Sequence, residues 1–304
     1  HGVPRGPRTR TDEQKRLDSL KIQKYHELEE NIRSSKAYDE TVFANTTRLL
    51  RLNPEYYTVW NVRRRCLTSG LLSRPRPGSV FSAIPSDKFQ TAASSFSSPG
   101  SFDTSSTTNS RKLAPGLSNS SKLPSENEGA ETTKETKNKL DDASEKERQT
   151  DADILESELL FTIPLLLEFP KCYWIWSYRL WVLEQAVARL DAERARKIWE
   201  EELALDSKML TKDRRNFHAW GYRRQVVERL ESAALSLNAA STTSSLVEPE
   251  FEYTTKMIHQ DLSNFSAWHN RSKLIPRLLA ERNADNAART VFFEKGVSGP
   301  GSYC

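Results

Sequence analysis

The sequence predicts an all-α chain: a right-handed superhelix of helical hairpins, crescent-shaped, interrupted by one long disordered insertion. Three observations predict it. The unit [YF]-x-x-W-x-x-R occurs four times. A run of helical periodicity precedes each copy. No stretch alternates apolar and polar residues as a half-buried strand does.

The four units are NPEYYTVWNVRR, FPKCYWIWSYR, RRNFHAWGYRR and LSNFSAWHNR. They place Trp60, Trp176, Trp220 and Trp268 behind Tyr57, Tyr173, Phe217 and Phe265, and ahead of Arg63, Arg179, Arg223 and Arg271. The tryptophans of the last three units are spaced by 44 and 48 residues, and Trp60 lies 116 before Trp176. Removing a 78-residue insertion at 73–150 brings that interval to 38. A period of this size is the mark of stacked supersecondary units. Within one unit the aromatic, the tryptophan and the arginine fall near one stripe of a helix, joined by Leu67 in the first unit. Pro54 and Pro170 precede their aromatics by three residues and suit the first helical turn. The expected role of the stripe is structural. Tryptophan fills the seam between hairpins, while arginine lays its stem over it and caps a carbonyl of the next unit.

Ahead of the motifs, helices are expected at Thr41–Leu52, Ile154–Leu167 (kinked at Pro164), Ala192–Leu205 and Phe251–Leu262. Residues 12–35 form one further charged helix. The parts are 1–72 (N-terminal arm, helix and first repeat), 73–150 (insertion), 151–284 (repeats two to four) and 285–304 (an atypical, poorly ordered tail).

Composition supports the insertion. Hydrophobic residues make up 37% of the 304-residue chain, below the roughly 45–50% of a globular domain. Residues 73–150 contain no Trp, Tyr, Cys, Met or His, and hold six of the 14 prolines. Such a stretch buries too little apolar surface to offset its ordering entropy.

The net charge of +4 comes without a long like-charge block, which excludes a nucleic-acid arm. Cys66, Cys172 and Cys304 are isolated, which suits a reducing, cytoplasmic location. The longest apolar run, Leu159 to Leu167, is broken by Pro164 and is too short to cross a bilayer. The chain starts at His1 without an initiator Met or signal peptide. Cys304 is the last residue, so no C-a-a-X prenylation signal forms.

The repeats resemble those of protein prenyltransferase alpha subunits. The segments LNPEYYTVWNVRR at 52–64, DRRNFHAWGYRR at 213–224 and NFSAWHNRSKLIP at 264–276, with the opening HGVPR and TDEQKR, look most like the Rab (type II) geranylgeranyltransferase branch. The 34-residue tetratricopeptide pattern does not fit. The resemblance covers roughly 1–70 and 151–280; the insertion and the run after Leu279 depart from it.

The resemblance implies a heterodimer with a beta subunit that carries zinc and the isoprenoid pocket. The reaction would move geranylgeranyl from geranylgeranyl diphosphate to C-terminal cysteines of Rab GTPases, delivered by a Rab escort protein. It assigns Lys171 and Tyr173, in PKCYWIWSYR, to a diphosphate-facing position. Chemically the place is apt, because a helix N-terminus favours anions. His1 is a candidate self-inhibitory contact to the partner's zinc. His26, His218, His259 and His269 are scattered, and the chain is expected to hold no metal; His218 and His269 read as helix-surface residues. Two other readings stand beside this one: the alpha subunit shared by farnesyltransferase and geranylgeranyltransferase type I, and a non-catalytic helical scaffold.

Overall fold

The computed structural model describes residues 11–76, 130–235 and 245–297, with the side chains of 130–142 and 295–297 left out. The chain divides into two units, His1–Pro75 with Glu147–Cys304, and Arg76–Lys146. Of the second unit, the described part beyond Arg76 is helical from Ala130 onward.

Among the described residues all regular structure is helical. Helix α1 runs Asp12–Ser34 and opens on a capping box, in which Thr11 and Gln14 each satisfy the other's backbone N–H. Helices α2 (Glu40–Leu52) and α3 (Tyr57–Cys66) form the first hairpin. A π-helical turn, Leu67–Leu71, closes it. Helix α4 spans Ala130–Glu168 and continues through Pro164. With α5 (Tyr173–Arg189) it makes the second hairpin. The third is α6 (Ala192–Lys212) with α7 (Phe217–Leu230), and the fourth α8 (Val247–Gln260) with α9 (Phe265–Glu281). The second helices contact in series: α3 with α5, α5 with α7, α7 with α9. None of the described helices is long and apolar enough to cross a membrane.

Two sequence expectations are corrected here. Helix α4 begins at Ala130, inside the stretch expected to be disordered. Its residues there, AETTKETKNKLDDASEKER, are rich in Glu and Lys, which favour helix without a core. Residues 77–129 lie outside the described ones. The tail expected after residue 284 is also helical: α10 spans Asn286–Val297, with Asp285 accepting from the Ala288 N–H. The left-handed Asn283 (φ 49°) makes the turn that leads into it.

One contiguous core runs from Ile32 on α1 to Ala267 on α9. Trp60, Trp176 and Trp220 are buried within it, and each ring meets a tyrosine of the next hairpin: Tyr178 at 4.6 Å, Tyr222 at 5.0 Å and Tyr253 at 5.9 Å. Trp268, in the fourth hairpin, stays 44% exposed. The aromatic at the head of each motif does not share this burial. Tyr57, Phe217 and Phe265 are exposed. Three-residue steps lag the helical turn by about 60° each, so the first aromatic faces about 120° away from the arginine.

Arg63, Arg179 and Arg223 are buried and Arg271 partly so, but their heads do something other than expected. Arg63 grips Glu158 of the next hairpin with two bonds, Nε to Oε2 at 2.6 Å and Nη2 to Oε1 at 2.7 Å. Arg179 grips Glu202 in the same way (2.8 and 2.5 Å), and Arg223 grips Glu250 (2.8 and 2.6 Å). The third nitrogen, Nη1, turns back to the arginine's own hairpin. It donates to the Phe43 carbonyl, Thr46 and Thr47 from Arg63, and to the Leu159 carbonyl and Thr162 from Arg179. Arg271 follows with the Phe251 carbonyl and Thr255. The carbonyl is therefore the arginine's own, and a carboxylate supplies the link forward. The guanidinium planes lie over Phe43 (4.0 Å), Tyr253 (3.7 Å) and Phe251 (3.7 Å) rather than over tryptophan. Tyr178 and Tyr222 donate to the same Glu158 and Glu202 at 2.5 and 2.7 Å. Burial opposes the charge on Arg179, yet Glu202 and Tyr222 hold its pKa above the ordinary value.

A second link joins the turns. Each tryptophan Nε1 donates to the carbonyl six residues back: Pro54, Pro170, Arg214 and Leu262, at 2.8–2.9 Å. Three of those carbonyls also accept from the next hairpin. Cys172 Sγ lies 3.4 Å from the Pro54 oxygen, Asn216 Nδ2 2.8 Å from Pro170, and Asn264 Nδ2 2.8 Å from Arg214. Pro54 and Pro170 thus sit in the inter-helix turn rather than in the first helical turn, with their oxygens as the shared acceptors.

A clasp closes the base of the insertion. Asp151, buried, accepts from the Ser73 N–H at 2.9 Å and from the Ser73 hydroxyl. Arg189 Nε donates to the Ser73 carbonyl at 2.8 Å. The point where the chain leaves the stack is therefore tied to the point where it returns.

Two outcomes are expected. Trp220→Ala lowers stability by about 3–5 kcal/mol in denaturant unfolding, from lost transfer energy plus a cavity. Replacing residues 77–146 with a Gly/Ser linker of about six residues leaves the melting temperature within about 3 °C, because the clasp already sets the end-to-end distance.

Candidate functional site: the turn face of hairpins one to three

In the last two hairpins an asparagine caps the start of the second helix. Asn216 accepts from the N–H groups of His218 (3.0 Å) and Ala219 (3.4 Å), and Asn264 from that of Ala267 (3.1 Å). At α5 the same position holds Cys172, and no side-chain hydrogen bond caps this helix. The thiol is buried against the Pro54 carbonyl, and burial pushes its pKa up to about 11, so it is neutral and unreactive. The first-turn amides of α5, like those of α3 behind Tyr56, thus lack the carboxamide cap of α7 and α9, and helix N-termini favour negative charge.

Lys171 directly precedes this N-terminus. Its side chain is 77% exposed, and Nζ lies 3.9 Å from Asp213 Oδ2 in the turn of the third hairpin. The ammonium is held loosely: the contact is long and wet, and of little energetic weight.

A row of aromatic rings runs past the head of the same helix. Tyr173 opens α5, half-buried, with its ring edge-on to Trp174 at 5.2 Å. Trp174 also meets Tyr57 of the first hairpin at 5.3 Å. On the other side Tyr173 lies 6.2 Å from His218, which stacks on Phe217 at 4.0 Å. His218 is half-buried rather than a plain surface residue. Burial lowers its pKa, and the charge of Glu55 opposes that shift. Lys171, the α5 N-terminus and the row Tyr57, Trp174, Tyr173, His218, Phe217 thus make one surface across three hairpins. It offers a cation and a helix N-terminus for an anion, beside an apolar rim.

The structure brings Lys171 and Tyr173 together with Tyr57 and Phe217. It keeps Trp60, Trp176, Trp220, Arg63, Arg179 and Arg223 away from this face, inside the seams. Phe265 is exposed at the head of α9. His1 lies outside the described residues. Among the described residues no three His, Cys, Asp or Glu side chains converge as a metal site. Sequence reading missed Glu158, Glu202 and Glu250, and it missed His218. A signal existed for two of the glutamates: Glu158 and Glu202 each stand 20 residues before a tyrosine two places beyond a motif tryptophan.

Comparison with known proteins gives the same repeats. The family profile described as protein prenyltransferase alpha subunit repeat matches residues 39–70, 155–186, 199–230 and 247–278, one match per hairpin. The geranylgeranyl transferase type-2 subunit alpha of Candida albicans is 31% identical over 238 residues, covering 76% of this chain and 44% of the relative. The protein of the same name from Saccharomyces cerevisiae is 29% identical over 237 residues, covering 76% and 48%. That of Rattus norvegicus is 35% identical over 104 residues, covering 34% and 17%. The chain spans a little under half the length of the two yeast relatives.

Proposed function

Because the chain belongs to the protein prenyltransferase alpha subunit family, we propose that it acts as the alpha subunit of a Rab (type II) geranylgeranyltransferase in the cytoplasm, paired with a beta subunit. The observation that carries this reading is Lys171 beside the uncapped N-terminus of α5 on an aromatic face. In the reaction the C–O bond between the geranylgeranyl group and diphosphate breaks. A C–S bond to a Rab cysteine forms, the thiol proton is released, and diphosphate leaves. The leaving group gathers negative charge. The Lys171 ammonium and the α5 amides meet that charge where it develops. Tyr173 borders the position, and its ring carries the apolar surface onward to Trp174 and Tyr57.

The partner's surface follows from the same face. Leu52, Tyr57, Phe217, Leu262 and Phe265 are large apolar side chains left in contact with water at the turn end of the hairpins. Several large apolar side chains exposed at one end of a repeat suit a protein interface, and the beta subunit is its proposed occupant. A geranylgeranyl diphosphate bound there would lie at the boundary between the subunits, with a Rab escort protein bringing the Rab substrate. Zinc is assigned to the proposed beta subunit by the family resemblance, and no step here runs through it.

Lys171→Ala in the co-expressed alpha–beta pair should lower the rate of geranylgeranyl transfer to a Rab acceptor by about 10–100-fold, the loss of one charge-assisted contact. Co-purification with beta should be unaffected. A normal rate contradicts the assigned role. Transfer to C-a-a-X peptides in preference to Rab contradicts the type II assignment.

A further inference from the structure

The register around each motif arginine is nearly invariant, and its one exception carries a consequence. Seventeen residues before Arg63 and Arg179 stand Thr46 and Thr162, whose hydroxyls accept from Nη1. Thr254 holds the same place ahead of Arg271. All three threonines are buried, and each hydroxyl donates onward to a backbone carbonyl of its own helix. Ahead of Arg223 the place is taken by Asp206.

Asp206 is fully buried in α6. Its Oδ2 lies 3.5 Å from Arg223 Nη1, too far for a good bond. That nitrogen already donates to Ser207 Oγ at 2.9 Å, and the rest of the guanidinium is held by Glu250. The other oxygen, Oδ1, meets no hydrogen-bond partner. The charged groups facing Asp206 are Arg223 from α7, Glu202 from its own helix and Glu250 from α8. Tyr253 of α8 covers the guanidinium at 3.7 Å. One guanidinium therefore faces two carboxylates, and only Glu250 has the geometry to pair with it.

We propose that Asp206 carries a proton in the folded chain, and that losing this proton loosens the seam between the third and fourth hairpins, a pH-sensitive point absent from the other repeats. Its burial pushes the carboxyl up to about 8; Arg223 pulls it down, while Glu202 and Glu250 push it up. In the unfolded chain the group titrates near its ordinary 3.8. Between those values the folded state holds a proton that the unfolded state has released. Stability therefore falls as pH rises through this window, and the loss levels off once both states are ionised.

The test compares the full chain with Asp206→Thr, the residue the other repeats use, and with Asp206→Asn. Melting temperatures are measured by circular dichroism from about pH 5 to about pH 9. Asp206→Thr should melt higher than the unaltered chain. The gap should widen up to about pH 8, reach at least about 5 °C and stay constant beyond. Asp206→Asn should flatten the pH dependence likewise. Infrared difference spectra of the unaltered chain should show a protonated carboxyl that disappears with a midpoint near pH 8 and is missing from Asp206→Asn; this reading holds even where Asp206→Thr does not fold. A gap independent of pH, or a carboxylate already ionised at about pH 6, overturns the proposal.

Discussion

A guanidinium buried between two hairpins is the constraint on which the rest of this structure depends. An arginine cannot shed its charge, so burying it demands a carboxylate and a full set of acceptors. Arg63, Arg179 and Arg223 meet that demand identically: two nitrogens forward to a glutamate of the next hairpin, one back to the arginine's own. Such an arrangement tolerates little error in the distance or rotation between hairpins. Leaving either partner alone would strand a desolvated charge. The tryptophan fills the space beside it, and at the first two seams the tyrosine of the following unit secures the glutamate from the far side.

The candidate site is a by-product of that stacking. Fixed seams set the turns at a fixed spacing, and the shared carbonyls of Pro54, Pro170 and Arg214 tie each turn to the next. The aromatic at the head of each motif then has nowhere to go but outward, and so the heads of the helices form an apolar row. Tyr56 and Cys172 stand where α7 and α9 have an asparagine cap, and at the second of these ends Lys171 adds a cation. A repeat built for packing thereby acquires one place suited to an anion.

Much of this was legible in the sequence. The tryptophan spacing gave the repeat, the hairpins and the 73–150 interruption, whose ends meet at Ser73 and Asp151. Lys171 and Tyr173 could be singled out through the family resemblance carried by PKCYWIWSYR. The glutamates could not be found the same way. They stand 95, 23 and 27 residues after their arginines, because the connections between hairpins differ in length. The exposure of Tyr57 and Phe217 was hidden by treating a three-residue period as a single face, although the helix turns away from it. Helix 130–146 and α10 were missed for another reason. Their helical form rests on local propensity, whereas the reading looked for apolar stripes.

The most direct measurement of the seam is a double-mutant cycle on Arg179 and Glu202, using Arg179→Met, Glu202→Gln and the double variant in denaturant unfolding. A buried bidentate pair predicts a coupling energy of at least about 2 kcal/mol, with each single variant destabilised by about 3–5 kcal/mol and the double variant recovering part of the loss. Single effects that add to within about 0.5 kcal/mol would contradict the claim that the guanidinium and its carboxylate lock one hairpin to the next.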